Sequence, residues 1–185
     1  MNVGSAFFTR WRVPLGYPLA IAVLWFARPT PRSIVAGAFV GILGLLIRAL
    51  AAGHLRKQEH LTVSGPYAYT RNPLYFGSAI LAVGAAIATR SWISALLLCG
   101  YFALFYSIVM RREEGELRLH FGTAFEEYAR TVPLFLPRLS PAKLASENAG
   151  AFSFMQYKKN HEWQATAGFL FLLAAMLLIW YLRPH

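Results

Sequence analysis

The sequence predicts an all-α integral membrane protein, a bundle of about five transmembrane helices. Its 185 residues are 57% hydrophobic, and the mean hydropathy is +0.43. Only 14% of the residues are charged, against roughly a quarter in a typical soluble domain. Five segments are apolar over lengths that suit a bilayer crossing.

The predicted spans are residues 13–27, 33–53, 73–89, 91–110 and 164–182. The first is short, but Arg12 and Arg28 flank it and can reach the two membrane interfaces. The second carries Gly37, Gly41 and Gly44, a face of small residues that lets a neighbouring helix approach closely.

A single residue, Arg90, separates the third and fourth predicted spans. So short a link predicts a tight helical hairpin with nothing functional at that end. The polar segments 54–72 and 111–162 are then expected to meet at the opposite end of the bundle.

Basic residues outnumber acidic ones, with 18 Lys and Arg against 8 Asp and Glu. If the chain crosses the membrane five times, all the Lys and Arg residues lie on one face of the membrane except Arg28, Arg32, Arg90 and Arg183. By the positive-inside rule the richer face is cytosolic, which puts the N-terminus and both polar segments inside and the C-terminus outside. In so apolar a chain this excess favours membrane lipids, and not nucleic acid, as the partner.

Several classes of site are excluded by residues that the chain lacks. All eight acidic residues are Glu, so aspartyl nucleophiles and Asp-based magnesium sites are absent. Cys99 is the single cysteine, which excludes an intrachain disulfide, and we interpret it as a small buried hydrophobic residue. The five histidines lack the spacing of a helical ligand pair, so no metal site is expected.

The first polar motif leads directly into the third predicted span. Gly65-Pro66 indicates a turn, and Pro73 suits the first helical turn. Arg71 and Asn72 would then lie at a helix N-terminus on the membrane surface, where a carboxylate or phosphate is favoured. The alternative is that Arg71 anchors the helix to lipid headgroups and Asn72 caps it.

The second polar motif begins with Glu113 and Glu114, directly after the fourth predicted span. Carboxylates are disfavoured at a helix C-terminus, so we expect a cationic partner. Local candidates are Arg111, Arg112 and a contact between Glu113 and Arg118. The functional candidate is a bound cation, such as an ammonium or sulfonium group.

Together the two motifs resemble those of the isoprenylcysteine carboxyl methyltransferases and the related phospholipid methyltransferases, over residues 40–138. The first motif is carried by Gly65, Tyr67, Arg71, Pro73, Tyr75 and Gly77. The second is carried by Glu113, Glu114, Leu117, Phe121, Gly122, Tyr128, Val132 and Pro133.

The resemblance implies a cytosolic S-adenosylmethionine pocket and a lipophilic substrate that enters from the bilayer. Arg71 and Glu114 would be the catalytic residues. The cofactor would be bound by Gly65, Tyr67, Arg71, Asn72, Pro73, Tyr75, Gly77, Glu113 and Glu114. Asn72 stands where the family's best-known members have His, and it cannot titrate, which speaks against a base at this position.

The sequence is compatible with several functions. The first is carboxyl O-methylation of an isoprenylcysteine-like substrate, and a phospholipid N-methyltransferase is the alternative within the family. An NADPH-dependent sterol-type reductase and a non-enzymatic membrane scaffold are the rivals outside it. The sequence divides into a methyltransferase core, 1–138, and a C-terminal extension, 139–185, with an interfacial segment at 149–163 and one further span.

Overall fold

The fold is helical throughout the residues that the computed structural model describes, which are 3–56, 60–143 and 151–183. The long helices are α1 (Val3–Phe26), α2 (Pro31–His54), α3 (Pro73–Thr89), α4 (Trp92–Thr131) and α6 (Trp163–Leu182). A 3-10 helix (Gly65–Ala68) precedes α3, and the short α5 (Phe154–Lys159) precedes α6.

Each predicted span corresponds to one of the long helices. By length and composition α2, α4 and α6 can cross a membrane, whereas the apolar part of α1 and the whole of α3 are shorter. The chain is therefore a helical membrane protein, and the count of five spans stays a prediction.

Helices α2 and α3 pack backbone against backbone. A Cβ atom built on Gly44 would lie 2.7 Å from the carbonyl oxygen of Gly77, and one on Gly84 would lie 2.6 Å from the amide nitrogen of Gly41. The predicted face of small residues thus allows this close approach. The ring of Phe169 from α6 fills the space beside Gly41.

The end of α1, the start of α2 and the end of α3 meet at the end of the bundle where Arg90 lies. The Ser33 hydroxyl of α2 donates to the carbonyl of Ala88 at 3.1 Å, and the amide of Arg28 donates to the carbonyl of Thr89 at 2.7 Å. Arg90 ends α3 in the left-handed conformation, with φ at 49°. This residue reverses the chain between α3 and α4, as the predicted hairpin requires.

Helix α4 continues far beyond the predicted span. It runs from Trp92 to Thr131, and Gly122 kinks it with φ 52° and ψ −124°. The part before the kink is about 45 Å long, which already exceeds the roughly 30 Å of the hydrocarbon core. The expectation that Glu113 and Glu114 follow a helix C-terminus is therefore wrong. Arg, Glu and Leu favour helix, and an Arg112–Glu116 pair at 2.9 Å one turn apart stabilises it. Glu113 and Glu114 lie inside α4, so the helix dipole gives no reason to expect a cationic partner for them.

The interpretation of Cys99 as a buried residue is also wrong. Cys99 is exposed, because this side of α4 faces away from the other helices. Leu96 and Trp92, one and two turns earlier, are 71% and 87% exposed. An apolar surface of this kind suits contact with lipid.

The C-terminal extension folds back onto the end of α2. The amide of Ser153 donates to the carbonyl of Gly53 at 2.9 Å, and the side-chain amide of Asn160 donates to the carbonyl of Ala52 at 2.9 Å. Phe154 of α5 is exposed. The interfacial role of 149–163 stays a prediction, and its first two residues lie outside the described part.

Candidate functional site

Hydrogen bonds join the two polar motifs into one unit. The amide of Arg71 donates to the carbonyl of Pro133 at 2.9 Å. The hydroxyl of Tyr128 donates to the carbonyl of Tyr67 at 2.8 Å, and this bond is buried. Residues more than 60 positions apart in the sequence therefore form one wall.

The two motif glycines allow close contacts beside this wall. Gly65 has φ at +60°, a left-handed conformation that favours glycine, and a Cβ there would lie 2.6 Å from the ring of His54. At Gly77 a Cβ would lie 2.7 Å from Cγ of Arg48. Gly77 thus leaves the space through which the Arg48 side chain crosses α3.

Asn72 begins α3 but does not cap it with its side chain. Its Nδ2 instead donates to the carbonyl of Leu134 at 3.0 Å, and its backbone amide donates to the hydroxyl of Thr70 at 3.3 Å. The amide side chain thus holds the second motif against the first. The capping alternative is wrong, because the Asn72 side chain points to the 132–135 turn.

An ion pair and a hydrogen bond connect polar side chains of the first motif with the two glutamates of the second. Arg71 Nη1 lies 2.5 Å from Glu114 Oε1, and both side chains are largely buried, 13% and 17% exposed. The Tyr75 hydroxyl donates to Glu113 Oε1 at 2.6 Å. Among the described residues Arg71 Nε is buried without a hydrogen-bond partner. One N–H of this guanidinium is therefore left over.

Two of the local cations considered for the two glutamates, Arg112 and Arg118, pair with other carboxylates. Arg112 Nε contacts Glu116 at 2.9 Å, and Arg118 Nε contacts Glu126 at 2.5 Å. The cation that neutralises Glu114 comes instead from the first motif, 43 positions away in the sequence. Sequence reasoning placed Arg71 and Glu114 in one site but did not predict their pairing.

A cavity of about 1100 Å³ opens beside the joined motifs. Its walls come from α1, α2, described residues of the link between α2 and α3, the first turn of α3, α4 and the residue before α6. Of the predicted cofactor-binding residues, six line it: Tyr67, Arg71, Asn72, Pro73, Tyr75 and Glu113. Gly65, Gly77 and Glu114 do not line the cavity, but Glu114 pairs with the lining residue Arg71.

Other lining residues escaped the sequence prediction. Arg48 of α2 and Glu162 at the start of α6 line the cavity and pair with each other at 2.6 Å. Tyr101 and Tyr106 come from the membrane-spanning half of α4. The signal that was available is an acidic residue, Glu162, directly before an apolar run.

Two tyrosines of the wall stay neutral to high pH. Burial raises the pKa of Tyr67 well above 10.0, and the nearby Tyr128, Glu113 and Glu162 raise it further. Burial also raises the pKa of Tyr128, although Arg71 acts in the opposite direction. The Tyr67 side chain, which lines the cavity, therefore remains a neutral hydroxyl at physiological pH.

The arrangement suits a small molecule that carries charges of both signs. Glu113 and Glu116 give the cavity carboxylates that attract cationic groups. The guanidinium of Arg71 lines the cavity and can donate to an anion there. Among the described residues no group of three or more His, Cys, Asp or Glu is arranged to hold a metal ion.

Comparison with known proteins gives one family match. A family model described as phospholipid methyltransferase matches residues 35–124. This range holds α3, most of α2 and α4 up to its kink, and thus Arg71, Tyr75, Glu113 and Glu114. No solved structure matches the chain.

Curated proteins from bacteria and eukaryotes are similar to parts of this chain. The nickel-cobalt-cadmium resistance protein NccN of Alcaligenes xylosoxydans xylosoxydans is 41% identical over 85 residues, 46% of this chain and 39% of that protein. The cobalt-zinc-cadmium resistance protein CzcN of Cupriavidus metallidurans is 34% identical over 137 residues, 70% and 63% of the two chains.

The third relative is named for an enzyme. The protein-S-isoprenylcysteine O-methyltransferase of Schizosaccharomyces pombe is 36% identical over 83 residues, 44% of this chain and 35% of that protein. The matched regions span between 35% and 63% of the length of these three relatives. The chain therefore matches only part of the length of each of these relatives.

Proposed function

The chain belongs to the family of phospholipid and isoprenylcysteine carboxyl methyltransferases, and on this premise we propose that it transfers a methyl group from S-adenosylmethionine to a lipophilic acceptor. The observation that carries the proposal is the meeting of the two motifs at one cavity. Tyr75 bonds to Glu113 there, and Arg71 pairs with Glu114.

The cavity fits this cofactor in size and in chemistry. A volume of about 1100 Å³ exceeds the roughly 300–1,000 Å³ of most small-molecule sites, which leaves room for an acceptor beside the cofactor. The carboxylates of Glu113 and Glu116 suit its ammonium and sulfonium groups. Tyr67, Tyr106 and Phe121 offer aromatic surface for its adenine.

The side chains of the site orient the reactants and exclude water. When bound, S-adenosylmethionine supplies an electrophilic methyl group on a sulfonium. An acceptor carboxylate is already ionised at neutral pH, so no base is needed, and the lack of a titratable group at Asn72 is tolerated. We assign Arg71, which lines the cavity, to hold that carboxylate through its guanidinium, while Glu114 fixes the guanidinium in place.

Analysis of the labelled product would test the reaction and its acceptor class together. The purified protein is incubated with methyl-tritiated S-adenosylmethionine and a total lipid extract, and the organic phase is counted. We expect labelled lipid whose tritium is released as methanol by mild alkali, as from a methyl ester. Alkali-stable label would indicate an N-methylated amine, with His120 and Glu116 on the cavity as candidate routes for the proton.

Absence of labelled lipid in this assay would contradict the proposal. A mock purification from cells that lack the protein serves as the background control. Label that appears equally in this preparation would come from another enzyme.

The proposed topology puts the cavity on the cytosolic side, with the C-terminus opposite. It follows from the unequal division of the 18 basic residues. In intact cells, after Cys99→Ala, we expect a cysteine at position 183 to react with an impermeant maleimide. A cysteine at position 120 should react only after the cells are opened. Labelling of position 120 in intact cells would overturn this orientation.

A further inference from the structure

A second ion pair lines the cavity, and its acidic partner comes from the extension beyond the family match. Arg48 Nε donates to Glu162 Oε2 at 3.0 Å, and Nη2 donates to Oε1 at 2.6 Å. This is the forked geometry that Arg forms with carboxylates. The side chains are 18% and 9% exposed, so both are largely buried.

The third nitrogen of Arg48 reaches the start of α3. Nη1 donates to the hydroxyl of Ser78 and, at 3.4 Å, to the carbonyl of Leu74. The hydroxyl of Ser78 in turn donates to that carbonyl at 2.9 Å. Every nitrogen of the Arg48 guanidinium therefore has a partner, in contrast to Arg71, whose Nε has none among the described residues. Arg48 is held by the protein and is not reserved for a ligand.

The backbone around Glu162 is fixed as well. Asn160, two residues earlier, donates from Nδ2 to the carbonyls of Ala52 and Leu55 at 2.9 and 3.1 Å. These bonds fasten the beginning of α6 to the end of α2. The carboxylate of Glu162 is thus presented to Arg48 from an anchored position.

We propose that Glu162, acting through Arg48, is a positioning residue for the first turn of α3. That turn carries Pro73 and Tyr75, which line the cavity, and Tyr75 bonds to Glu113. Loss of the Glu162 charge would free Arg48 from its fork and loosen its bonds to Leu74 and Ser78. The C-terminal extension is then part of the site. The proposal rests on the proposed function only for its effect on the cofactor.

The test compares Glu162→Gln with the wild type in detergent. Hydrogen exchange of the Phe76 and Gly77 amides is measured without ligand, and the Kd for S-adenosylhomocysteine is measured by calorimetry. We expect about ten-fold faster exchange in this turn, with the far end of α3 unchanged, and a Kd weakened about ten-fold. Glu126→Gln, which breaks the exposed pair with Arg118, is the control and should change neither.

A double-mutant cycle separates positioning from simple loss of stability. If Glu162 acts through the α3 turn, its effect on Kd and that of Tyr75→Phe should be less than additive. A lower melting temperature with unchanged exchange at Phe76 and Gly77 would overturn the inference. Failure of the wild type to bind S-adenosylhomocysteine would contradict the proposed function, and the exchange rates would still decide the role of Glu162.

Discussion

Replacing Arg71 by Lys is expected to lower the rate of methyl transfer by about ten-fold or more. Lys keeps a positive charge near Glu114 but loses the planar fork and its Nε–H. One charge-assisted hydrogen bond contributes roughly 1.5–3 kcal/mol, and each 1.36 kcal/mol is about ten-fold in rate. The measurement is the initial rate of tritium transfer from S-adenosylmethionine into the lipid phase.

Arg118 provides a matched control for this substitution. Both arginines lie near the ring of Phe125, with their Cζ atoms at 6.0 and 5.7 Å from its centroid, and both pair with a glutamate at 2.5 Å. The Arg118 side chain is 52% exposed, however, against 13% for Arg71. Arg118→Lys should leave the rate unchanged. Equal rates for Arg71→Lys and the wild type would reduce Arg71 to a structural ion-pair partner of Glu114.

Gly84→Ala is expected to destabilise the protein by roughly 1–3 kcal/mol or more. The added methyl group would lie 2.6 Å from the amide nitrogen of Gly41 and 2.7 Å from the carbonyl oxygen of Gly37. Both are backbone atoms, so α2 and α3 would have to move apart along their contact. Thermal unfolding in detergent would show the loss as a lower melting temperature.

Gly100→Ala is the matched control for this prediction. Gly100 also lies in a helix, α4, but apart from the backbone of its own helix nothing lies within 4 Å of the position of its Cβ. The better helix propensity of Ala should therefore stabilise the protein by roughly 0.5–1 kcal/mol. A Gly84→Ala protein as stable as the wild type would contradict the close packing of α2 and α3.

The helices and part of their packing follow from the sequence. Apolar runs mark the five long helices because a membrane helix must bury its backbone polar groups within itself. Glycines at helical spacing mark the contact of α2 with α3 because only small residues let backbones approach so closely. The turn at Arg90 follows from the length of the link alone.

The course of α4 could not be derived in the same way. Hydropathy ends near Met110, where the chain leaves the apolar region, but a helix need not end at the membrane surface. The residues that follow favour helix in water, so Glu113 and Glu114 lie within α4 and not at its C-terminus. The expected cationic partner exists, yet for Glu114 it is Arg71 and not a neighbour in sequence.

Long-range side-chain pairs were beyond sequence reasoning because they depend on how helices are placed against one another. Arg48 and Glu162 are 114 positions apart, and neither belongs to the two motifs. The resemblance ended before the extension, so nothing in the motifs pointed to Glu162. The side chain of Asn72 could have served as a cap, and only the position of Leu134 shows that it bonds there.

The central claim, that the cavity binds S-adenosylmethionine, is tested most directly by the thermal stability of the purified protein with and without ligand. A ligand that binds only the folded state at a hundred-fold excess over Kd stabilises it by about 2.7 kcal/mol. We predict a clear rise in melting temperature with S-adenosylmethionine and with S-adenosylhomocysteine, and none with NADPH. A rise with NADPH alone would favour a reductase, and no rise with any of the three would contradict the account.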